Sequence, residues 1–315
     1  MGNGVSIAVD PRFRYDHLYD NVRNSQVRAA FTVIGTTNFE TALRKLAKLH
    51  AKSQRAGESL AILGEQTALR EELRRSLGEA ILAVHPQRGE VDNVLEFRGR
   101  QFSAYETVYT TNYDLLTYWS FMADLGYDQF VDGFAYARDS ETHLFDENTF
   151  INAKGRQDTT RIAYVHGALH LISADHSAVK LIALRGLDLM TLAKDRRDLV
   201  LVTEGRSREK RAAIAANAYL KFMFHELETD STPLAVIGFS FGRQDRHIIE
   251  LLTDSARPLY VGVFGHDETA LRKERQRISA LLDRDATYFD VLTHPLVSLD
   301  QNPQHGYHGN EIPVV

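Results

Sequence analysis

The chain has 315 residues, a formal net charge of -5, and 43% hydrophobic against 25% charged residues. These proportions describe a globular chain able to bury a core, not a disordered or fibrous one, and the acidic balance argues against direct nucleic-acid binding. Cysteine is absent, which excludes disulfides, a thiolate nucleophile and a cysteine-held zinc module.

No apolar run reaches bilayer-crossing length and no signal peptide opens the chain, so a cytoplasmic protein without a membrane partner is expected. Gly2-Asn3-Gly4-Val5-Ser6 reads as a tight glycine turn of the kind that lets a backbone approach a pyrophosphate, with a flexible terminus as the competing reading. The same residues fit an amino-terminal myristoylation pattern. A strand is expected ahead of such a turn, and only Met1 precedes it. Either an in-frame apolar strand lies upstream, or the loop is held by its other neighbours.

From about 24 to 100 the pattern is helical and reads as a block inserted into an α/β core. Asn38 caps one helix, carrying Phe39, Ala42, Leu43, Leu46, Ala47 and Leu49 at helical spacing, and a second runs from about Glu58 to Val84, where His85-Pro86 stops it. Short strands then alternate with helices: a strand from Thr107 to Tyr109, a helix from Tyr113 to Leu125, and an irregular flap over about 126–158. Ile162 to Val165 is a strand running into His166-Gly167, and Val179 to Leu184 and Leu199 to Thr203 are further strands. A helix from about Ser207 to Glu228 leads to the apolar strand Leu234 to Ile237, which opens into Gly238-Phe239-Ser240. A helix from Gln244 to Ser255, a strand from Leu259 to Val263, a helix from Glu268 to Leu282 and a strand from Thr287 to Val291 complete the series. The fold class is α/β: a Rossmann-like, doubly wound, mostly parallel sheet in a single domain over 1–300, with 301–315 a loosely ordered tail.

Four sequence-distant elements share one geometry: the glycine turn, Thr111-Asn112-Tyr113-Asp114, His166, and Gly238-Phe239-Ser240. Each sits where a core strand ends, or should end, and in a parallel sheet such ends line one rim where ligands bind. Taken alone, Asn112 and Asp114 fit helix capping as well as substrate contact. His166 and His170 have helical metal-ligand spacing, but the intervening Gly167 and the lack of a third ligand argue against zinc, and no metal is expected. Lys210 and Arg211, with Arg206 and Arg208, read as a solvated helix face or as phosphate-neutralising charge, and Arg243, Asp245 and His247 as a helix start.

On these landmarks, Gly2 to Ser6, Thr110-Thr111-Asn112-Tyr113-Asp114, His166-Gly167 and Gly238-Phe239-Ser240, the chain resembles the sirtuin-like NAD-binding domains, in particular the bacterial branch associated with antiphage defence. The resemblance implies that Asn112 holds the nicotinamide ribose or a water, that Asp114 lies near the carboxamide and that His166 is the general base. It further implies Gly2, Asn3, Gly4 and Ser6 at the pyrophosphate, Thr111 beside them, and Gly238, Phe239 and Ser240 at phosphate or the adenosine ribose. Protein-deacetylating sirtuins carry a zinc module on four cysteines, which this chain cannot form, so hydrolysis of NAD is the leading expectation. A catalytically silent NAD or ADP-ribose sensor and an ADP-ribosyltransferase are the alternatives. An oligomer, and an activating sensor protein from a neighbouring gene, are the expected partners.

Overall fold

Helices come first in the chain. In the computed structural model, which describes residues 1–124, 129–135, 142–181, 199–203 and 207–299, no strand precedes residue 107. The helices there are Gly4–Val9 (α1), Tyr15–Asp20 (α2), Ser25–Ile34 (α3), Phe39–Arg55 (α4), Leu60–Val84 (α5) and Arg88–Phe102 (α6). Asn38 caps α4 by accepting the Thr41 N–H at 2.8 Å, and Phe39, Ala42, Leu43 and Leu46 form the buried stripe. α5 ends at His85, as the proline at 86 requires. The His85 ring then ties this helical block to the chain around Leu115: its Nε2 accepts the Leu115 N–H at 3.0 Å, while Nδ1 lies 3.0 Å from the Pro86 carbonyl. That pair of contacts places the ring proton on Nδ1.

The α/β part begins with Thr107–Thr110 (β1), Leu116–Asp124 (α7), Phe130–Val131 (β2), Phe134–Ala135 (β3), Thr142–Phe145 (β4), Glu147–Ile151 (α8) and Thr160–Tyr164 (β5). Next come Gly167–Ala174 (β6), Ser177–Leu181 (β7), Leu199–Leu201 (β8), Ser207–Ala216 (α9) and Ala218–Thr229 (α10). The last elements are Leu234–Val236 (β9), Arg246–Asp254 (α11), Leu259–Val263 (β10), Glu268–Leu282 (α12), Thr287–Asp290 (β11) and Pro295–Ser298 (α13).

Two three-stranded sheets, in the orders β1-β5-β2 and β11-β10-β9, are parallel throughout. With their helices they form the Rossmann-like α/β arrangement that the alternation of strands and helices predicts. β1, β5 and β10 are buried along most of their length, whereas β11 stays partly exposed, and the stacked rings of Phe102 on α6 and Phe121 on α7, with centroids 5.0 Å apart, fill the interior beside β1.

Several elements depart from expectation. A third, five-stranded sheet in the order β3-β4-β7-β6-β8 is antiparallel, so strands of both kinds make up this fold. Within the expected irregular flap, the described residues carry β2, β3, β4 and α8. The expected glycine turn runs directly into a helix, α1, which starts at Gly4. The expected helix from Ser207 is broken at Asn217, whose side chain accepts the Leu220 N–H at 3.1 Å and starts α10 afresh. The expected tail at 301–315 and Arg206 lie outside the described residues. Among the described residues no helix is long and apolar enough to cross a membrane.

Candidate functional site

The amino-terminal turn is wedged between the carboxyl ends of β1 and β9. The Met1 amine donates to the Tyr109 carbonyl at 2.6 Å, and the Met1 carbonyl accepts the Thr111 N–H at 3.0 Å. On the other flank the Gly2 N–H donates to the Ile237 carbonyl at 3.0 Å and the Gly4 N–H to the Gly238 carbonyl at 2.9 Å. Gly2 is buried here, where a lipid-accepting terminus would have to be exposed.

Close backbone approach explains the glycines. A Cβ on Gly2 would sit 2.7 Å from the Gly238 carbonyl oxygen, and one on Gly4 2.8 Å from the Gly238 Cα. Gly238 has a φ of +64°, and its own Cβ would lie 2.7 Å from the Val5 nitrogen. The two turns are thus interlocked. Their amides at Gly2 and Gly4 are committed to the Gly238 turn rather than free for a pyrophosphate.

Behind the turn, α1 presents a wholly buried Ser6 to the loop after β1. Its hydroxyl donates to Asp114 Oδ2 at 2.5 Å and accepts from Asn112 Nδ2 at 2.8 Å. Asp114 also accepts the Leu116 N–H at 2.9 Å through Oδ1, which starts α7, so for Asp114 the capping reading is realised. Asn112 caps nothing. Its Oδ1 is buried with no hydrogen-bond partner, and Asn112 lines a cavity. Behind this loop Arg98 is fully buried, its guanidinium nitrogens without hydrogen-bond partners; burial lowers its pKa to about 10, and the Asp114 carboxylate opposes that shift.

His166 comes after β5 and stands at the same cavity. Gly167, at a φ of +80°, turns the chain sharply into β6; a Cβ there would lie 1.8 Å from the Val200 carbonyl oxygen. His166 Nε2 lies 2.8 Å from His247 Nε2, with the rings near parallel at an interplanar angle of 16°. Two facing imidazole nitrogens at that distance share one proton. Burial, the Lys210 ammonium and His247 hold the His166 pKa well below its ordinary value, and burial with Lys210 and Arg211 lowers that of His247 to about 3. Both rings are neutral at neutral pH.

Nothing along the chain marks His247 as part of this site, beyond an Asp-x-His spacing after the Gly238 turn. Lys210, read as a solvated-face residue, is fully buried instead. Its ammonium bridges Glu40 Oε1 at 2.9 Å and Asp245 Oδ1 at 2.7 Å, joining α4, α9 and the turn before α11. The two carboxylates hold Lys210 firmly protonated, whereas burial raises Asp245 to about 6 against the pull of the ammonium.

His166, Asp245 and His247 bring ligand atoms within 4.8 Å of one another, a spacing that suits a metal. The Lys210 ammonium on Asp245 opposes a cation there. His170 takes no part: its ring stacks on Tyr118 at 4.8 Å inside the core.

Gly2, Asn3, Gly4, Thr111, Asn112, Asp114, His166, Gly238, Phe239 and Ser240 all line this one cavity, with a volume of about 790 Å³, and Ser6 supports it from behind. Arg14, Tyr15, Glu40, Tyr113, Gln244, Asp245 and Glu274 add to its polar lining. The volume falls within the range of small-molecule and cofactor sites.

Buried histidines also set a pH response. Burial lowers His170 and His247 to about 3 and His294 to about 4, from 6.5. Between 6.5 and those values the unfolded chain binds protons that the folded chain refuses, so stability is lost as pH falls through that window. Asp245, raised from 3.8 to about 6, acts in the opposite sense over its narrower range. The urea midpoint is therefore expected to drop from pH 7 to pH 5; a rising midpoint would contradict neutral burial of these rings.

No curated protein matches the chain at a significant level. The family model described as "Domain of unknown function (DUF4917)" matches residues 1–293, and the chain belongs to that family.

Proposed function

We propose that the cavity binds NAD and that the protein cleaves its nicotinamide–ribosyl bond, giving nicotinamide and ADP-ribose. The observation that carries this reading is the buried, unpartnered Oδ1 of Asn112, a residue of the cavity that the neutral His166 also lines. Nicotinamide departs as a neutral molecule from a cationic ring, taking the bonding electrons with it, so no leaving-group acid is needed. The chain's task is to hold the ribose and to stabilise the oxocarbenium-like centre that develops. Asn112 Oδ1 accepts from a ribose hydroxyl or a water. Water bonds to the ribosyl carbon and gives its proton to His166, whose partner His247 fixes the ring and shares the proton. A neutral ring at that position avoids placing a second cation beside the nicotinamidium.

By its resemblance to the antiphage branch of sirtuin-like domains, the protein acts as an NAD-depleting effector. Such an activity has to be held in check until an infection signal or a partner assembles it. A silent NAD or ADP-ribose sensor is the second reading, favoured by the commitment of the Gly2 and Gly4 amides to the Gly238 turn.

Incubating the purified chain with NAD, alone and with the products of adjacent genes, tests the proposal. Nicotinamide and ADP-ribose in equal amounts are the expected products. Label transferred from NAD to a macromolecule would make the protein a transferase, and binding without turnover under every condition would leave only the sensor.

A further inference from the structure

A second concavity adjoins the cavity that holds Asn112 and His166, a groove with a volume of about 830 Å³ walled by three elements. α4 brings Arg44 and Lys48, α9 brings Arg208 and Arg211, and the turn into α11 brings Arg243 and Arg246. In each pair the residues stand three or four apart, the spacing at which two side chains share one side of a helical turn. Arg44 is half-buried and the other five are exposed.

A buried bridge ties the three elements to one another. Lys210 of α9 bonds Glu40 of α4 at 2.9 Å and Asp245, in the turn before α11, at 2.7 Å. One enclosed ammonium thus fixes the walls, and the cations they carry are gathered before any ligand arrives. Two carboxylates also line the groove, and both are already bonded: Glu40 to Lys210, and Glu250 to Arg211 at 3.1 Å and Arg246 at 2.9 Å. Six cations against two carboxylates leave an excess of four positive charges, in a chain whose net charge is -5. Like charges in a concave wall repel one another and focus a positive potential, and a bound polyanion offsets that repulsion.

The lining selects the chemistry of the anion. Five of the six cations are Arg, whose planar fork donates two parallel hydrogen bonds to a phosphate. Among the described residues no aromatic ring lines the groove, so nothing there stacks a base, whereas the neighbouring cavity has Phe13, Tyr15, Phe239 and Phe264. The volume lies within the range of small-molecule sites, and the acidic remainder of the chain disfavours an extended nucleic acid.

We infer that this groove is a second ligand site, for a compact polyphosphate held through its phosphates alone. Glu40 and Gln244 line both concavities, and Arg211 donates to the His247 carbonyl at 3.4 Å, so the two sites share a wall. The inference does not depend on any reaction with NAD.

Calorimetric titration of the full chain with inorganic tripolyphosphate tests it. Saturable binding is expected, weaker as salt is raised. Arg44→Gln combined with Arg243→Gln, on two different walls, is expected to raise the Kd about tenfold or more, whereas Arg272→Gln, exposed on α12 outside the groove, leaves it unchanged. Melting curves report whether each variant folds, and Arg208→Gln, a single exposed change on α9, gives the same weakening in an independent variant. Absence of binding, or an equal loss in Arg272→Gln, would overturn the inference. Displacement of tripolyphosphate by ADP-ribose would also overturn it, by placing both in one site, as would tighter binding of a duplex RNA or DNA through the same arginines. The readout is binding and not turnover, so it is decided whether or not the neighbouring cavity cleaves NAD.

Discussion

A chain carrying His166→Ala is expected to release nicotinamide from NAD about 10²–10⁴-fold more slowly than the unaltered chain, the usual contribution of a positioned base. Asn112→Ala is expected to fall in the same direction, by about 10²-fold or more, because it removes a polar amide from the wall of the site where charge develops. Both losses are to be measured as nicotinamide formed under saturating NAD, with circular dichroism and thermal melting confirming that each variant folds. His247→Gln gives a sharper test of the shared proton. The distance of 2.8 Å between the two Nε2 atoms makes His247 a positioning group for His166, so its loss should move the pH profile of the reaction as well as its rate. Full turnover in the His166 or Asn112 variant would remove that residue from the mechanism.

Gly167→Ala is expected to abolish folding under conditions where the unaltered chain is soluble. The added Cβ would lie 1.8 Å from the Val200 carbonyl oxygen, an atom of backbone held in β8, and the residue would have to keep a φ of +80°. Neither strain can be relieved by rotating a side chain. The penalty places this substitution among the exceptional ones, above about 4 kcal/mol. By contrast Gly155→Ala, at a φ of +72° but with open space around it, meets only the conformational cost, about 1 kcal/mol. Comparing urea midpoints of the two variants separates collision from conformation.

The parallel part of the fold was legible because its signals are local. Leu259–Val263 is a short run of Leu, Tyr and Val around one Gly, and Glu268–Leu282 opens behind an Asp cap, Asp267, which accepts the Ala270 N–H at 2.8 Å; both have the expected bounds. The gathering of Asn112, His166 and Gly238 around one cavity was legible for a different reason: strand ends in a parallel sheet face the same way.

The features that escaped detection have no local signature. In β6, the first six residues from Gly167 are all buried, so no alternation marks the strand, and its sequence includes Gly and His. β2 and β3 are two residues each, too short for any period. α6 buries Arg98 and Gly99 beside Leu95 and Phe102, which blurs its apolar stripe. Lys210 is buried because Glu40 and Asp245 come to it, the first from 170 residues away in sequence. His247 meets His166 across 81 residues. Spacing along the chain cannot report such pairings.

The interlocked glycines also govern the order of events in folding. The amino-terminal turn is synthesised well before the backbone that fixes it, Ile237 to Phe239, which emerges more than two hundred residues later. Until then the turn has no partner for its Gly2 and Gly4 amides and no wall against which their missing side chains matter. Closing so long a loop is slow, and the opening residues wait for it in an unfinished state. The cavity that depends on that turn is therefore among the last features to form.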